Sequence, residues 1–515
     1  MKLPFNLAKF KSSATSSNSQ QALWFGISSF SRFLIAILSS VILSRYFSKE
    51  EYGTYKQIVF VYSTFITLFA AGLPSAYAYF LPKLSRSEGK GIVNRLTKLF
   101  IGLGIVYGLS LFFLSGIIAD ALKNPELERG LKLFAVIPLL MMPTLGVSGV
   151  YTAIRKTYVL ALYTTVTRLG MLAMITLPVI LLKGTYETAI IGWIFSSALT
   201  LLAALYMKYR PFRGVRAVVN TVSDKNIFKY SLPIMVAALS GVVLKFADQF
   251  FLSRYFGTEV FADYSNGFIP MPFITMITGA THAVFIPLFS GLMEKENGKA
   301  AIAKHWKSGV NKVIILIFPL LVFFMFYAKE VIYILYGPLY DKSYIYFRLA
   351  MIINLGSPFL FYSILLATGK TRIYAMIHIV YAIAIWGLGF VVCNIGSTPY
   401  QYLILSVCLA IISRFVGLIF AARTIEAGLK QLIDLTSIFK LLLASILIGL
   451  LTKELIGLFT ERASVIFLMG GALYAGLMYL IDKRFRLRIL DTALSFVRRK
   501  SSSNGQVKPT FSSES

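Results

Sequence analysis

Charged side chains are scarce in this sequence: 14% of its 515 residues are Asp, Glu, Lys or Arg, against about 25% in soluble globular domains. With 57% hydrophobic residues, such a chain cannot cover a water-facing surface, which excludes a soluble enzyme. Acids are scarcer than bases, 22 against 51. Only two cysteines occur, Cys393 and Cys408, both inside apolar stretches and without CxxC or metal-ligand spacing. That excludes a disulfide framework and a zinc site but says little about redox compartment. There is no nucleophile triad, metal cluster or cofactor signature. The string ATGKT at 367–371 has Ile364 where a P-loop needs its first glycine, and it joins two apolar stretches rather than a strand and a helix. The N-terminus lacks a short apolar core followed by a cleavage site, so residues 1–21, with Lys2, Lys9, Lys11 and a serine-rich run, read as a disordered cytoplasmic tail.

What the chain has in abundance is long apolar runs. A hydrocarbon core about 30 Å thick needs about 20 apolar residues per helix, and a window of that length predicts fourteen spans. The first six run over 22–46, 55–81, 97–119, 132–153, 157–182 and 187–207. The next six run over 230–255, 262–290, 310–328, 345–367, 373–393 and 401–422, and a final pair over 437–456 and 463–482. The expected fold class is therefore all-α, a polytopic membrane bundle of 14 transmembrane helices.

The net charge of +29 would suit nucleic acid if it were spread over one face. It is sorted by side instead. With the N-terminus cytoplasmic, and bases at span ends assigned to the adjoining loops, 34 Lys and Arg fall on inside segments, 13 outside and 4 at membrane depth. The excess is a topology signal that puts both termini in the cytoplasm and makes nucleic acid an unlikely partner.

An internal repeat organises the spans. LSRYF occurs at 43–47 and again at 252–256, and Glu50, Tyr52 and Tyr55 correspond to Glu259, Phe261 and Tyr264 at the same offset. FLPKLS at 80–85 resembles FIPLFS at 285–290, and Lys156-Thr157 with Ala161 resembles Lys370-Thr371 with Ala375. Six spans separate the copies, an even number, so both run the same way. This predicts two pseudo-symmetric six-helix lobes, 22–207 and 230–422, with a substrate path between them. A basic cytoplasmic linker, 208–229, joins them. The helices of 437–482 stand outside the repeat, followed by a basic amphipathic helix on the membrane surface over 483–500 and a disordered tail, 501–515.

The segments LSRYFSKEEYGTY after the first span and YSLPIMVAAL opening the seventh, together with Asp248-Gln249-Phe250, resemble bacterial polysaccharide flippases of the Wzx type. These belong to the MOP superfamily, which also holds the lipid II flippase MurJ and the MATE antiporters. The resemblance implies a location in the bacterial inner membrane, alternating access by two lobes, and a polyprenyl-pyrophosphate-linked oligosaccharide as cargo. Membrane lipids are the other partner, no cofactor is implied, and proton or sodium coupling is left open. The eleventh span reads HIVYAIAIWGLGF and lacks the asparagines such flippases often carry there, so the sugar is not specified. The alternative is an ion-coupled, MATE-like exporter of small amphipathic compounds. A membrane-embedded glycosyltransferase would need a large outer loop, and the longest outer loop expected here is about 17 residues.

Charges at membrane depth cost about 2.5–3.5 kcal/mol each on insertion scales and call for water or a partner. They are Arg32, Arg168, Lys245, Asp248 and Arg414. Arg32, Arg168, Lys245 and Arg414 are the expected cationic cavity for the substrate's pyrophosphate, since a guanidinium can bond two phosphate oxygens at once. For Arg414, about eight residues from the cytoplasmic end, snorkelling to the surface is the simpler reading. Asp248 follows Lys245 by three residues, on one helical face, and reads either as a coupling carboxylate or as half of a structural pair. His282 and His378 read as hydrogen-bonded packing histidines.

Overall fold

The computed structural model describes residues 18–218 and 222–485, and every regular element among them is a helix. Residues 1–17, most of the expected surface helix over 483–500 and the tail 501–515 lie outside the described residues. The helices in the first half are α1 (Asn18–Tyr46), α2 (Lys49–Ala70), α3 (Pro74–Phe80), α4 (Arg86–Phe113), α5 (Ser115–Ala121), α6 (Glu126–Phe134), α7 (Val136–Met141), α8 (Val147–Ala153), α9 (Thr157–Leu182) and α10 (Tyr186–Tyr209). There follow α11 (Asp224–Gly267), α12 (Pro272–Met293), α13 (Gly298–Phe326), α14 (Ala328–Tyr336), α15 (Ser343–Leu355), α16 (Phe361–Ala367), α17 (Thr371–Asn394), α18 (Pro399–Thr424), α19 (Leu429–Leu432), α20 (Leu435–Gly457) and α21 (Ala463–Phe485).

Twelve stretches are long and apolar enough to cross a bilayer, with α2–α3 forming one broken stretch and α6–α8 another. The bent α11 makes a thirteenth. The span expected over 345–367 is present as α15 and α16, split at 356–360, which brings the number to fourteen. The chain is thus a multi-pass membrane protein. Several boundaries move: α4 begins at Arg86 rather than 97 and α13 at Gly298 rather than 310, and the eighth span, expected from residue 262, begins at Pro272, because 262–267 continue α11. Hydropathy cannot see a turn such as 268–271 when the residues in it are themselves apolar.

The described residues form two compact units. One comprises those up to Pro272 with Leu335–Tyr346 and His378–Leu409; the other comprises Phe273–Ile334, Phe347–Ile377 and those from Ala410 onward.

In the first unit both copies of LSRYF end a helical run in the same way. After Phe47, Ser48 accepts from the Glu51 backbone and Glu51 returns a bond to the Ser48 backbone, a capping box that starts α2. After Phe256 the equivalent position is Gly257, whose φ of 84° interrupts α11 in a conformation only glycine adopts readily. The restarted part of α11 lies against α2 so closely that a Cβ on Gly53 would sit 2.2 Å from the Thr258 carbonyl oxygen. A buried polar joint fills this contact. Gln57 donates to Ser253 at 2.6 Å and accepts from Asn124 at 2.5 Å, while Asn124 also reaches Thr54. Tyr52 donates to Asn266 at 2.6 Å, and Lys49 pairs with Asp263 at 2.8 Å. Gln57 and Asn266 are themselves equivalent positions of the repeat, so each copy reaches into the other.

Chain breaks leave backbone carbonyls without helical partners, and side chains supply donors for them. Lys208 of α10, fully buried, donates to the carbonyls of Pro143 and Leu145 at the break between α7 and α8. Arg254 donates to the carbonyl of Ala121 at 2.6 Å, at the end of α5. The segment leaving α10 is fastened along α4: Arg86 donates to Pro211 at 2.8 Å, Lys90 to Val215 at 2.6 Å and Arg95 to Val222 at 2.9 Å, while Val218 donates to Ser87. In the second unit, Arg414 donates to the Ile353 carbonyl and the Trp306 indole to that of Leu360, on either side of the split between α15 and α16. Asp434 caps α20, and the Ser437 hydroxyl and amide bonded to it hold its carboxyl below the usual range.

Replacing Gln57 by leucine leaves Ser253 without its donor in the joint and Asn124 with Thr54 alone. At about 1–3 kcal/mol for each buried group stranded, the variant should unfold at a clearly lower temperature than the wild type in detergent, as measured by intrinsic fluorescence. An unchanged midpoint would remove the joint from the account of stability.

Candidate functional site

The site grows from the packing of α1 on α9 within the first unit. Residues at helical spacing share one face: Ser28, Arg32, Ala36 and Ser39 on α1, and Thr164, Arg168 and Leu172 on α9. These faces and their neighbours line two cavities of about 200 Å³ each, and Arg32, Arg168 and Met171 belong to the walls of both. The cavity toward the Trp24 end of α1 is rich in hydroxyls, among them Ser28, Thr144, Ser148, Thr164, Thr167 and Thr200. The other, toward the Tyr46 end, is walled by Ser39, Ser40, Tyr55, Lys56 and Trp193. Neither is lined by an Asp or Glu.

The guanidinium groups are held only lightly. Arg32, which is exposed, donates to Ser29 at 3.1 Å. Arg168, half-buried, donates to the thioether of Met171 at 3.4 Å, a weak acceptor. Among the described residues neither forms an ion pair. Most of their donors are therefore available to an oxyanion.

Lys56 is the third cation here, and sequence reasoning missed it. It sits one residue into the second predicted span, where a base is read as a loop charge. The structure turns it into the cavity, half-buried, with its ammonium 2.8 Å from the Ser40 hydroxyl and over the ring of Tyr52.

The remaining predicted residues lie elsewhere. Lys245 is exposed on α11 and lines neither of these cavities. Among the described residues no ion pair joins it to Asp248; the Asp248 carboxylate accepts from the Tyr402 hydroxyl of α18 at 2.9 Å, with Ser406 beside it. Arg414 belongs to the second unit, at the wall of an apolar cavity of about 270 Å³ with Phe318, Gly356, Phe359 and Phe415. His282 hydrogen-bonds Ser363 and stacks on Tyr362, a packed histidine. Among the described residues no cluster of His, Cys, Asp or Glu could hold a metal ion.

Comparison with solved structures finds the same arrangement of apolar helices in several membrane transporters. The lipid II flippase MurJ in an inward closed conformation aligns with a TM-score of 0.64 at 15% identity, over 90% of this chain and 99% of that one. An inward-facing MATE family multidrug transporter aligns at 0.63 and 12% identity, over 77% of this chain and 94% of that one. A MOP superfamily transporter from Pyrococcus furiosus, described as having a binding pocket of reverse polarity, aligns at 0.55 and 12% identity, over 79% of this chain and 95% of that one. Residues 42–345 match the sequence profile of the polysaccharide biosynthesis protein family, more than half the chain, and the protein belongs to that family. An uncharacterized membrane protein of Methanocaldococcus jannaschii is 22% identical over 344 residues, which are 62% of this chain and 66% of that relative, just short of two thirds of its length.

Because Asp248 is bonded to Tyr402, the charges of Lys245 and Asp248 should act independently. In thermal unfolding of Lys245→Met, Asp248→Asn and the double variant, the single effects should add within about 0.5 kcal/mol. A double variant milder than Asp248→Asn alone would reveal a pair.

Proposed function

We propose that this protein is a flippase, moving a polyprenyl-pyrophosphate-linked oligosaccharide from the cytoplasmic to the outer face of a bacterial inner membrane by alternating access of the lobes 22–207 and 230–422. The observation that carries this reading is the convergence of Arg32 and Arg168 on shared cavities without a lining carboxylate. Two guanidinium groups at membrane depth need an anion or water beside them. A pyrophosphate supplies charge-assisted bonds to both forks, the hydroxyl-rich walls suit the sugars, and the polyprenyl chain stays in the bilayer. Membership of a polysaccharide biosynthesis family supports the cargo class. For the alternative, an ion-coupled, MATE-like exporter of small amphipathic compounds, the same walls argue against any cargo that is cationic, which two unneutralised arginines would repel. Asp248 is the candidate for proton or sodium coupling, since its carboxylate is bonded to a hydroxyl and not to a base. Lys245 and Arg414 play no part in holding the pyrophosphate in this reading.

The test is transport by purified protein in liposomes loaded with a polyprenyl-diphosphate trisaccharide, read by accessibility of the sugar to an external lectin. Arg32→Ala and Arg168→Ala should each slow flipping by at least about tenfold, the worth of one charge-assisted bond. Lysine should rescue either only in part, because it keeps the charge and loses the fork. Wild-type rates in a double alanine variant would refute the assignment.

Orientation has its own check. Cysteine labelling in intact cells should find residues 2–21 and 483–515 inaccessible from outside, as the charge bias requires, and outside labelling of either terminus would reverse the direction of transport inferred here.

A further inference from the structure

We infer that Ser40 and Tyr52 are positioning residues that carry the binding of an anion beside Lys56 to the joint between α2 and α11; this rests on the flippase reading above, in which the cavity walled by Arg32, Arg168, Ser40 and Lys56 takes the diphosphate. Four side chains of the first unit form one line of hydrogen bonds inward from that wall. Lys56 donates to Ser40 at 2.8 Å, the hydroxyls of Ser40 and Tyr52 lie 2.5 Å apart, and Tyr52 donates to Asn266 at 2.6 Å. Counting places the hydrogens. A phenol has one, and Tyr52 gives it to Asn266, so Tyr52 accepts from Ser40. Ser40 likewise has one hydrogen, given to Tyr52, and its lone pairs receive Lys56 and face the Tyr336 hydroxyl beside it. Every bond in the line therefore points away from the ammonium. Ser40 and Lys56 line the cavity, whereas Tyr52 and Asn266 are fully buried and lie outside its wall.

A line ordered this way depends on its charged head. Hydrogen bonds in a chain polarise one another, by about 10–30% per bond, so the ammonium tightens the Tyr52–Asn266 bond from two steps away. That bond matters at its buried end: among the described residues the Asn266 side chain makes no other, and its amide nitrogen is buried without a partner. An oxyanion in the cavity competes with Ser40 for the ammonium. It carries charge on both sides of the new bond, where the bond to Ser40 carries charge on one. The ammonium turns to the anion, Ser40 loses its charged donor, and the pull on Tyr52 and Asn266 slackens. Filling the cavity thus loosens one bond of the joint. The coupling is reciprocal, so breaking that bond strengthens the hold on the anion by the same factor. Among the described residues Arg32 and Arg168 bond within their own helices, to Ser29 and Met171, so of the three cations Lys56 is the one connected to the joint.

The experiment measures the dissociation constant of a polyprenyl-diphosphate trisaccharide from the full-length protein in nanodiscs. Asn266→Ala removes the acceptor at the buried end of the line and lies outside the cavity wall, yet it should tighten binding about fivefold, the lower end of ordinary coupling between sites. In a Ser40→Ala background, where the line is cut, the same substitution should leave the constant unchanged. Tyr52→Phe keeps the ring beside the ammonium and removes the hydroxyl. It should tighten binding as Asn266→Ala does, and it takes that variant's place if the alanine protein does not fold. Unchanged or weaker binding in either folded variant overturns the inference and leaves the flippase reading intact, as does a fivefold effect of Asn266→Ala that persists in Ser40→Ala. Failure of the wild type to bind the probe overturns the flippase reading, and this inference with it.

Discussion

Everything in this structure follows from the rule that a polar group inside a bilayer must find its partner within the protein. Helices that run unbroken satisfy the rule by themselves. Many here are broken, at 71–73, 142–146, 257 and 356–360, and beside several of these breaks stands a long cationic or indole side chain aimed at the freed carbonyls: Lys208 at Pro143, Arg414 at Ile353, Trp306 at Leu360. Their donors are spent on backbone. Arg32 and Arg168 differ because, among the described residues, their forks meet a hydroxyl and a thioether. The same physical demand that explains the structural bases thus sets these two apart from Lys208 and Arg414.

The joint between α2 and α11 is the second consequence. Two copies of one motif have been brought side by side, and amides, hydroxyls and the Lys49–Asp263 pair seal the contact beside the packing of Phe60 on Phe246 and Phe261. Interfaces of this type keep their specificity in lipid, where apolar surfaces gain little by meeting each other, and their bonds are worth only about 0.6–2 kcal/mol each. A contact built this way holds a register firmly while remaining separable at modest cost.

Much of the architecture was legible in the sequence. The run Thr157–Leu182 emerged as a helix with both ends where hydropathy put them, and the fourteen apolar runs reappear. The breaks were legible only in part: an average over about 19 residues erases Gly356-Ser-Pro358 and the turn at 268–271, while Pro143, Pro270 and Pro358 mark where a helix loses backbone bonds without saying which proline ends it. The site was half legible. Arg32 and Arg168 stood out because a base mid-span has no cheap explanation. Lys56 and Lys208 did not, since a lysine at the end of a span is ordinarily a surface charge, and only the three-dimensional path turns one into a cavity and the other into the core. Lys245 and Asp248 were read as neighbours from a spacing of three, but a shared face does not fix where two side chains go, and Tyr402 of a distant helix claims the acid.

The segment leaving α10 bears on how the protein is built during synthesis. Held to α4 by Arg86, Lys90 and Arg95, it can be laid down only once α4 and α10 stand together, so the start of α11 is positioned by a surface that the preceding spans have already completed. The ribosome therefore delivers the second copy of the repeat onto a finished template, and the order of translation becomes part of how the two copies find their register.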